Sequence, residues 1–134
     1  MSRYGTPFQK SLGLRWSAAD GQQGAVAVEL DMRDDLRGPA GSLEGGIVST
    51  LADVAGASAA AGALGPLVAT ENLTISFLAP GREGPIRATA VVLRSKNGGV
   101  VADVRVVDTG LDDRLMAVAQ VTVRALPPRG PIAN

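Results

Sequence analysis

The chain has 134 residues, enough for one domain with a buried core, and 46% of them are hydrophobic but only 3% aromatic, so core and pocket walls must be mainly Ala, Val and Leu. Thirteen basic residues balance thirteen acidic ones, which removes the electrostatic footprint of a nucleic-acid binder. The absence of both Cys and His excludes disulfides, thiolate nucleophiles, Cys/His metal sites, Ser-His-Asp triads and His-dependent dehydration, leaving carboxylates, hydroxyls and backbone dipoles to carry any chemistry.

The polar start MSRYGTPFQK lacks the apolar core of a signal peptide. No run is read as approaching the ~20 apolar residues that span a bilayer, so a soluble, cytoplasmic protein is expected; separately, no cofactor is expected. After the turn-forming pair Asp20-Gly21, the segment Gly24 to Asp31 mixes β-branched and small residues in partial alternation and predicts the first strand. Arg33 to Leu43 carries Gly38, Pro39 and Gly41 and reads as a loop leading to a helix. Gly46 to Ala63 is rich in Ala and small apolar residues and predicts the one long helix, ended by Gly65-Pro66. Gly56 and Gly62 inside it each cost about 1 kcal/mol relative to Ala, so close packing is the expected compensation.

Four apolar runs follow, Val68 to Leu78, Pro85 to Arg94, Val100 to Val107 and Leu115 to Ala125, separated by turns at Pro80-Gly81, Asn97-Gly98-Gly99 and Thr109-Gly110. They read as hairpin-linked antiparallel strands. One strand, one long helix and four strands make an α+β domain in which an antiparallel sheet wraps a central helix, the hotdog arrangement. The domain is expected to span residues 1–126, with 127–134 a disordered tail.

Asp53 stands in the middle of the helix among Leu51, Ala52, Val54 and Ala55. Asp is a poor helix former, cannot cap there and is costly to bury alone. Either it faces water or bonds Ser49 or Thr50 one turn back, or it projects into a pocket as general base or nucleophile. The apolar remainder of the helix favours the pocket. The helix start at Gly45 and Gly46 leaves backbone N–H groups free at the positive end of the macrodipole and can serve as an oxyanion site, although two glycines also suit a plain tight turn. Eight residues separate Gly45 from Asp53, about 12 Å along a helix, so one chain cannot bring both to one carbonyl. A twofold dimer with antiparallel central helices can.

Gly41-Ser-Leu-Glu-Gly-Gly-Ile-Val-Ser-Thr-Leu-Ala-Asp53, followed by Ala69-Thr-Glu-Asn-Leu-Thr-Ile-Ser-Phe-Leu-Ala-Pro-Gly81, resembles the PaaI-like hotdog acyl-CoA thioesterases, and the resemblance extends from Leu36 to Ala125. It implies hydrolysis of an acyl-CoA thioester, with Asp53 as the catalytic acid, the Gly45 amide facing the carbonyl and the Thr70 hydroxyl orienting water. It also implies an acid supplied by the partner subunit, in homodimers and often homotetramers. Glu44 stands where the family's His is usual and Gly38 where Asn or Gln is usual. Glu44 reads first as a favourable helix-start charge worth about 0.3 to 1 kcal/mol and second as another acid. Glu44, Gly46, Ser49 and Gly38 are candidate supporting or substrate contacts.

Arg82, Arg94 and Lys96 lie near strand turns and are candidates for the CoA phosphates, although surface Arg and Lys are more often plain solubilising charges. A competing reading is a hotdog module that binds an acyl-CoA-like ligand without cleaving it. A purely structural dimerisation module explains neither Asp53 nor the paired glycines, and a hydratase would lack its His.

Overall fold

The computed structural model describes residues 5–19 and 24–127. A short helix α1 (Pro7–Ser11) leads into β1 (Arg15–Ala18) and β2 (Val26–Leu30), and a 3-10 turn (Asp34–Leu36) precedes the 20-residue helix α2 (Gly45–Leu64). Four strands complete the chain: β3 (Val68–Phe77), β4 (Ile86–Lys96), β5 (Gly99–Asp108) and β6 (Arg114–Ala125). They form one antiparallel six-stranded sheet in the order β1-β2-β4-β5-β6-β3, with α2 packed on one face. This is the α+β hotdog architecture.

Alternation decides which face meets the helix. In β5, Val100, Ala102, Val104 and Val106 are buried while Val101, Asp103, Arg105 and Val107 are not fully covered. α2 offers Leu51, Ala52, Ala55, Ala59 and Ala60 in return, and Ala88, Ala90, Ala102, Ala117 and Ala119 oppose them from the sheet. Small residues on both sides let helix and sheet approach closely. By length and its mean hydropathy of 1.5, α2 could cross a bilayer, which corrects the expectation that no run approaches that length; here the sheet covers its apolar face.

The two internal glycines differ. A Cβ on Gly56 would come within 2.8 Å of Val121 Cβ, so this glycine permits the close contact its position led one to expect. A Cβ on Gly62 would meet nothing within 4 Å, so the expectation of packing there is corrected. Gly62→Ala is therefore expected to stabilise the protein by about 1 kcal/mol and Gly56→Ala to destabilise it by about 1 to 3 kcal/mol, read as shifts in the chemical-denaturation midpoint. The helix ends at Gly65, whose φ of 99° is one that residues with a side chain rarely adopt.

Three expectations needed correction or extension. α1 and β1 precede the first expected strand; α1 is capped by Thr6, whose hydroxyl accepts from Gln9 N–H while the Gln9 side chain accepts from Thr6 N–H, and has Pro7 at its first position. The Pro80-Gly81 connection is not a hairpin, because β3 pairs with β6 and the chain then crosses to β4 on the far side of β5. Asp108 prolongs β5 beyond the expected Val107, because its backbone still pairs with Ile86 on β4 and Arg114 on β6. The turn expected at Asp20-Gly21 and the tail from 128 onward lie outside the described residues.

Candidate active site

Asp53 sits on the part of α2 that the sheet leaves partly open and is itself half-buried. Its Oδ1 accepts a hydrogen bond of 2.6 Å from Thr70 Oγ1. Thr70 pairs with the buried Val123, which turns it toward the helix side, and the register slips immediately after it, between Thr70 and Asn72. The alternative partners do not engage Asp53: Ser49 Oγ donates to the Gly45 carbonyl at 3.0 Å and Thr50 Oγ1 to the Gly46 carbonyl at 2.9 Å. Ser49 is thus tied to its own helix.

At the other end of this surface α2 begins. Glu44 is the N-cap, exposed, with φ −59° and ψ 139°, and its side chain makes no capping hydrogen bond. Its carbonyl accepts from Ile47 and Val48 N–H, while no acceptor among the described residues takes the N–H of Gly45 or Gly46. Two orphan donors therefore point out of a positive helix end. Gly46 has open space around it, and the Phe77 ring lies 3.6 Å from where a Cβ on Gly45 would sit. A Cβ on Gly38 would lie 3.5 Å from Glu44 Cγ, so the two departures from the family pattern are neighbours in space.

The loop before the helix is braced. Gly38 N–H donates to Ser42 O at 2.8 Å, Glu44 N–H to Leu36 O at 3.1 Å and Leu43 N–H to Gly81 O at 2.9 Å. Arg37 Nη1 donates to the carbonyls of Gly41 and Arg82. The crossover loop is held in turn by Asp108, which is fully buried and accepts from the N–H groups of Arg82 (2.8 Å), Glu83 (3.0 Å), Gly84 (2.7 Å) and Gly110 (3.2 Å). Burial pushes the Asp108 carboxyl up, but these N–H bonds outweigh it and hold it below its ordinary value. Sequence reasoning passed over this residue, although Asp108-Thr109-Gly110 has the composition of a side-chain-bonded turn.

The three cationic candidates are not brought together. Arg82 lies on the crossover loop near the start of β4, whereas Arg94 and Lys96 lie at the end of that strand, about 33 Å away along an extended chain. All three are exposed, and none has an ion-pair partner among the described residues. Among those residues no cluster of acidic side chains could hold a metal ion.

An apolar cleft of about 330 Å³ opens beside the helix start, lined in part by Leu43, Val48, Phe77, Leu78 and Met116. Sequence reasoning did not foresee it, because its walls come from the helix entry, the end of β3, the crossover and β6.

The structure is similar to that of the E. coli PaaI protein from the phenylacetic acid degradation operon, with 26% identity and a TM-score of 0.77 over 88% of this chain and 83% of that one. A conserved protein of Pseudomonas aeruginosa aligns with 26% identity and a TM-score of 0.82 over 93% and 98% of the two chains. A protein of Thermus thermophilus aligns with 28% identity and a TM-score of 0.78 over 90% and 98%. No curated protein matches the sequence. The sequence profile of the thioesterase superfamily matches residues 40–114, from the loop before α2 through β5 to the first residue of β6. With that match on more than half its length and a hotdog fold around it, the chain belongs to the thioesterase superfamily, whose chemistry is thioester hydrolysis.

Proposed function

We propose that the protein is a PaaI-like acyl-CoA thioesterase that works as a homodimer, able to pair further into a tetramer, in the cytoplasm. The observation that carries this reading is the 2.6 Å bond from Thr70 Oγ1 to Asp53 Oδ1, which fixes the carboxylate of the one charged residue on α2. In the reaction the Gly45 N–H polarises the thioester carbonyl and receives the charge that develops on its oxygen. Asp53 either removes a proton from water as the water attacks the carbonyl carbon, or attacks that carbon itself to form an anhydride. The carbon–sulfur bond then breaks, and the CoA thiolate takes the proton that Asp53 removed or, in the second route, one from water; in that route a second step, attack of water on the anhydride, releases the free acid and restores the carboxylate. Thr70 holds the carboxylate in orientation. Release of free CoA from a panel of acyl-CoAs tests the activity, and single-turnover hydrolysis in isotopically labelled water separates the two roles of Asp53. A nucleophilic Asp53 places solvent oxygen in the protein first.

The dimer is supported by two features. β3 is a ten-residue edge strand, unpaired on one side, with half-buried Leu73 and Ile75 on its helix-facing side. Such an edge invites a second strand. Gly45 and Asp53 stand about 12 Å apart along α2, too far to share one carbonyl. An equal mixture of Asp53→Asn and Gly45→Pro chains, each inactive alone, is then expected to recover about a quarter of wild-type specific activity, because each mixed dimer retains one intact site. Proline fits at this first helical position, and Glu44 already has the extended backbone it requires of its predecessor. No recovery after subunit exchange would place both groups on one chain.

A second reading, binding of an acyl-CoA without cleavage, is favoured by Gly38, which leaves bare the spot next to Glu44 where the family usually has an amide. Tight binding with no CoA release on any acyl chain would establish it.

A further inference from the structure

We propose that Phe77 and Met116 determine which acyl groups this site accepts: Phe77 is the wall shared by the Gly45 amide and the apolar cleft, Met116 is the floor, and the occupant is an uncharged acyl chain. The proposal rests on the thioesterase reading above.

Phe77 pairs with Ala117, a buried residue on the helix side of β6, so its ring points toward the helix layer. α2 only begins at Gly45, and the ring remains 54% exposed while packing over that glycine. An aromatic side chain left open beside two unused N–H donors is placed to contact what those donors bind.

Met116 owes its position to a slip in register between β5 and β6, where Val106 pairs with Ala117 but Val107 pairs with Leu115. Both Met116 and Ala117 are consequently buried. The Met116 carbonyl accepts from Leu78 N–H at 2.7 Å and Ala79 N–H at 3.2 Å, tying the end of β3 to the floor of the cleft. A Cβ on Gly81 would come within 2.5 Å of Met116 Cε, so the thioether fills the space beneath the crossover.

A thioester with its carbonyl oxygen on the Gly45 N–H can extend its acyl chain past Phe77 into this cleft. Among the described residues no charged side chain lines it. An aliphatic or aryl group gains from burial there, whereas an acyl chain ending in a carboxylate would be desolvated without a partner.

The test uses the full chain and its Phe77→Ala and Phe77→Leu variants, with CoA esters of increasing acyl length and one ester ending in a carboxylate. Turnover and the affinity of non-hydrolysable thioether analogues are both measured. The expected result is a change in length preference in Phe77→Ala of about tenfold in kcat/KM between short and long chains, carried mainly by KM, with Phe77→Leu intermediate. Wild type should disfavour the carboxylate-ended ester by about tenfold or more against an uncharged chain of equal length. An unchanged length profile in both variants overturns the proposal. So does a change of oligomeric state in sedimentation with the profile intact, which would make the ring a contact for a second copy. If the wild type cleaves no ester but binds the thioethers with a length dependence that Phe77→Ala shifts, the thioesterase reading fails and the cleft assignment stands. Absence of both turnover and length-dependent binding overturns the two together.

Discussion

Asp53→Asn is expected to lower kcat for acyl-CoA hydrolysis by about 10² to 10⁴-fold, the range general acid–base catalysis supplies, with little change in the affinity of a thioether analogue. The substitution preserves shape, and the amide oxygen can still accept the Thr70 hydroxyl that now bonds Oδ1. What it removes is the ability to take a proton or attack a carbonyl. Asp53 is half-buried and its one side-chain partner among the described residues is Thr70, so the melting temperature should move little. Release of CoA, followed as free thiol, reads the loss. Turnover within about twofold of wild type would remove Asp53 from the mechanism.

The second large effect is on stability. Asp108→Ala would leave four backbone N–H groups, those of Arg82, Glu83, Gly84 and Gly110, without their buried acceptor. An orphaned donor costs about 1 to 3 kcal/mol when fully buried; these four bonds are part-buried, so with relaxation and partial hydration the variant should lose about 3 kcal/mol in all. The pH dependence follows from the lowered carboxyl pKa of the folded protein. The stabilisation from Asp108 is complete above the ordinary carboxylate pKa of about 3.9 and is lost as pH falls through the lower folded value. Asp108→Asn, which cannot ionise, should therefore unfold in acid with a shallower dependence over that window. Circular dichroism against denaturant at several acidic pH values checks both points. An Asp108→Ala variant as stable as wild type would mean that water can replace the carboxylate.

The sequence disclosed most of this fold because its strands alternate and its turns carry Gly and Pro at the right places. It also disclosed Asp53, since a carboxylate among Leu51, Ala52, Val54 and Ala55 has no local reason to be there, and the family resemblance paired it with Thr70. β1 escaped notice because it is four residues long and largely exposed, with no buried alternation to announce it. The pairing of β3 was not legible either: adjacent apolar runs suggest a hairpin, and only the assembled sheet shows that β3 lies beside the last strand. Asp108 drew no reading of its own, because its role depends on three N–H groups more than 20 residues away. Arg82, Arg94 and Lys96 seemed comparable because each lies near a turn signal, but the length of β4 separates the first from the other two.

The partnership of β3 with β6 also orders events in time. Thr70 lies on β3, yet β6, the strand that seats it, is the last of the sheet's six strands to be synthesised. α2 can form early from local contacts, but the Thr70–Asp53 bond must await closure of a loop of about 50 residues, and such non-local pairings form slowly. A chain cut before Arg114 would retain Asp53, Gly45, Thr70 and Phe77 and still lack the surface that assembles them.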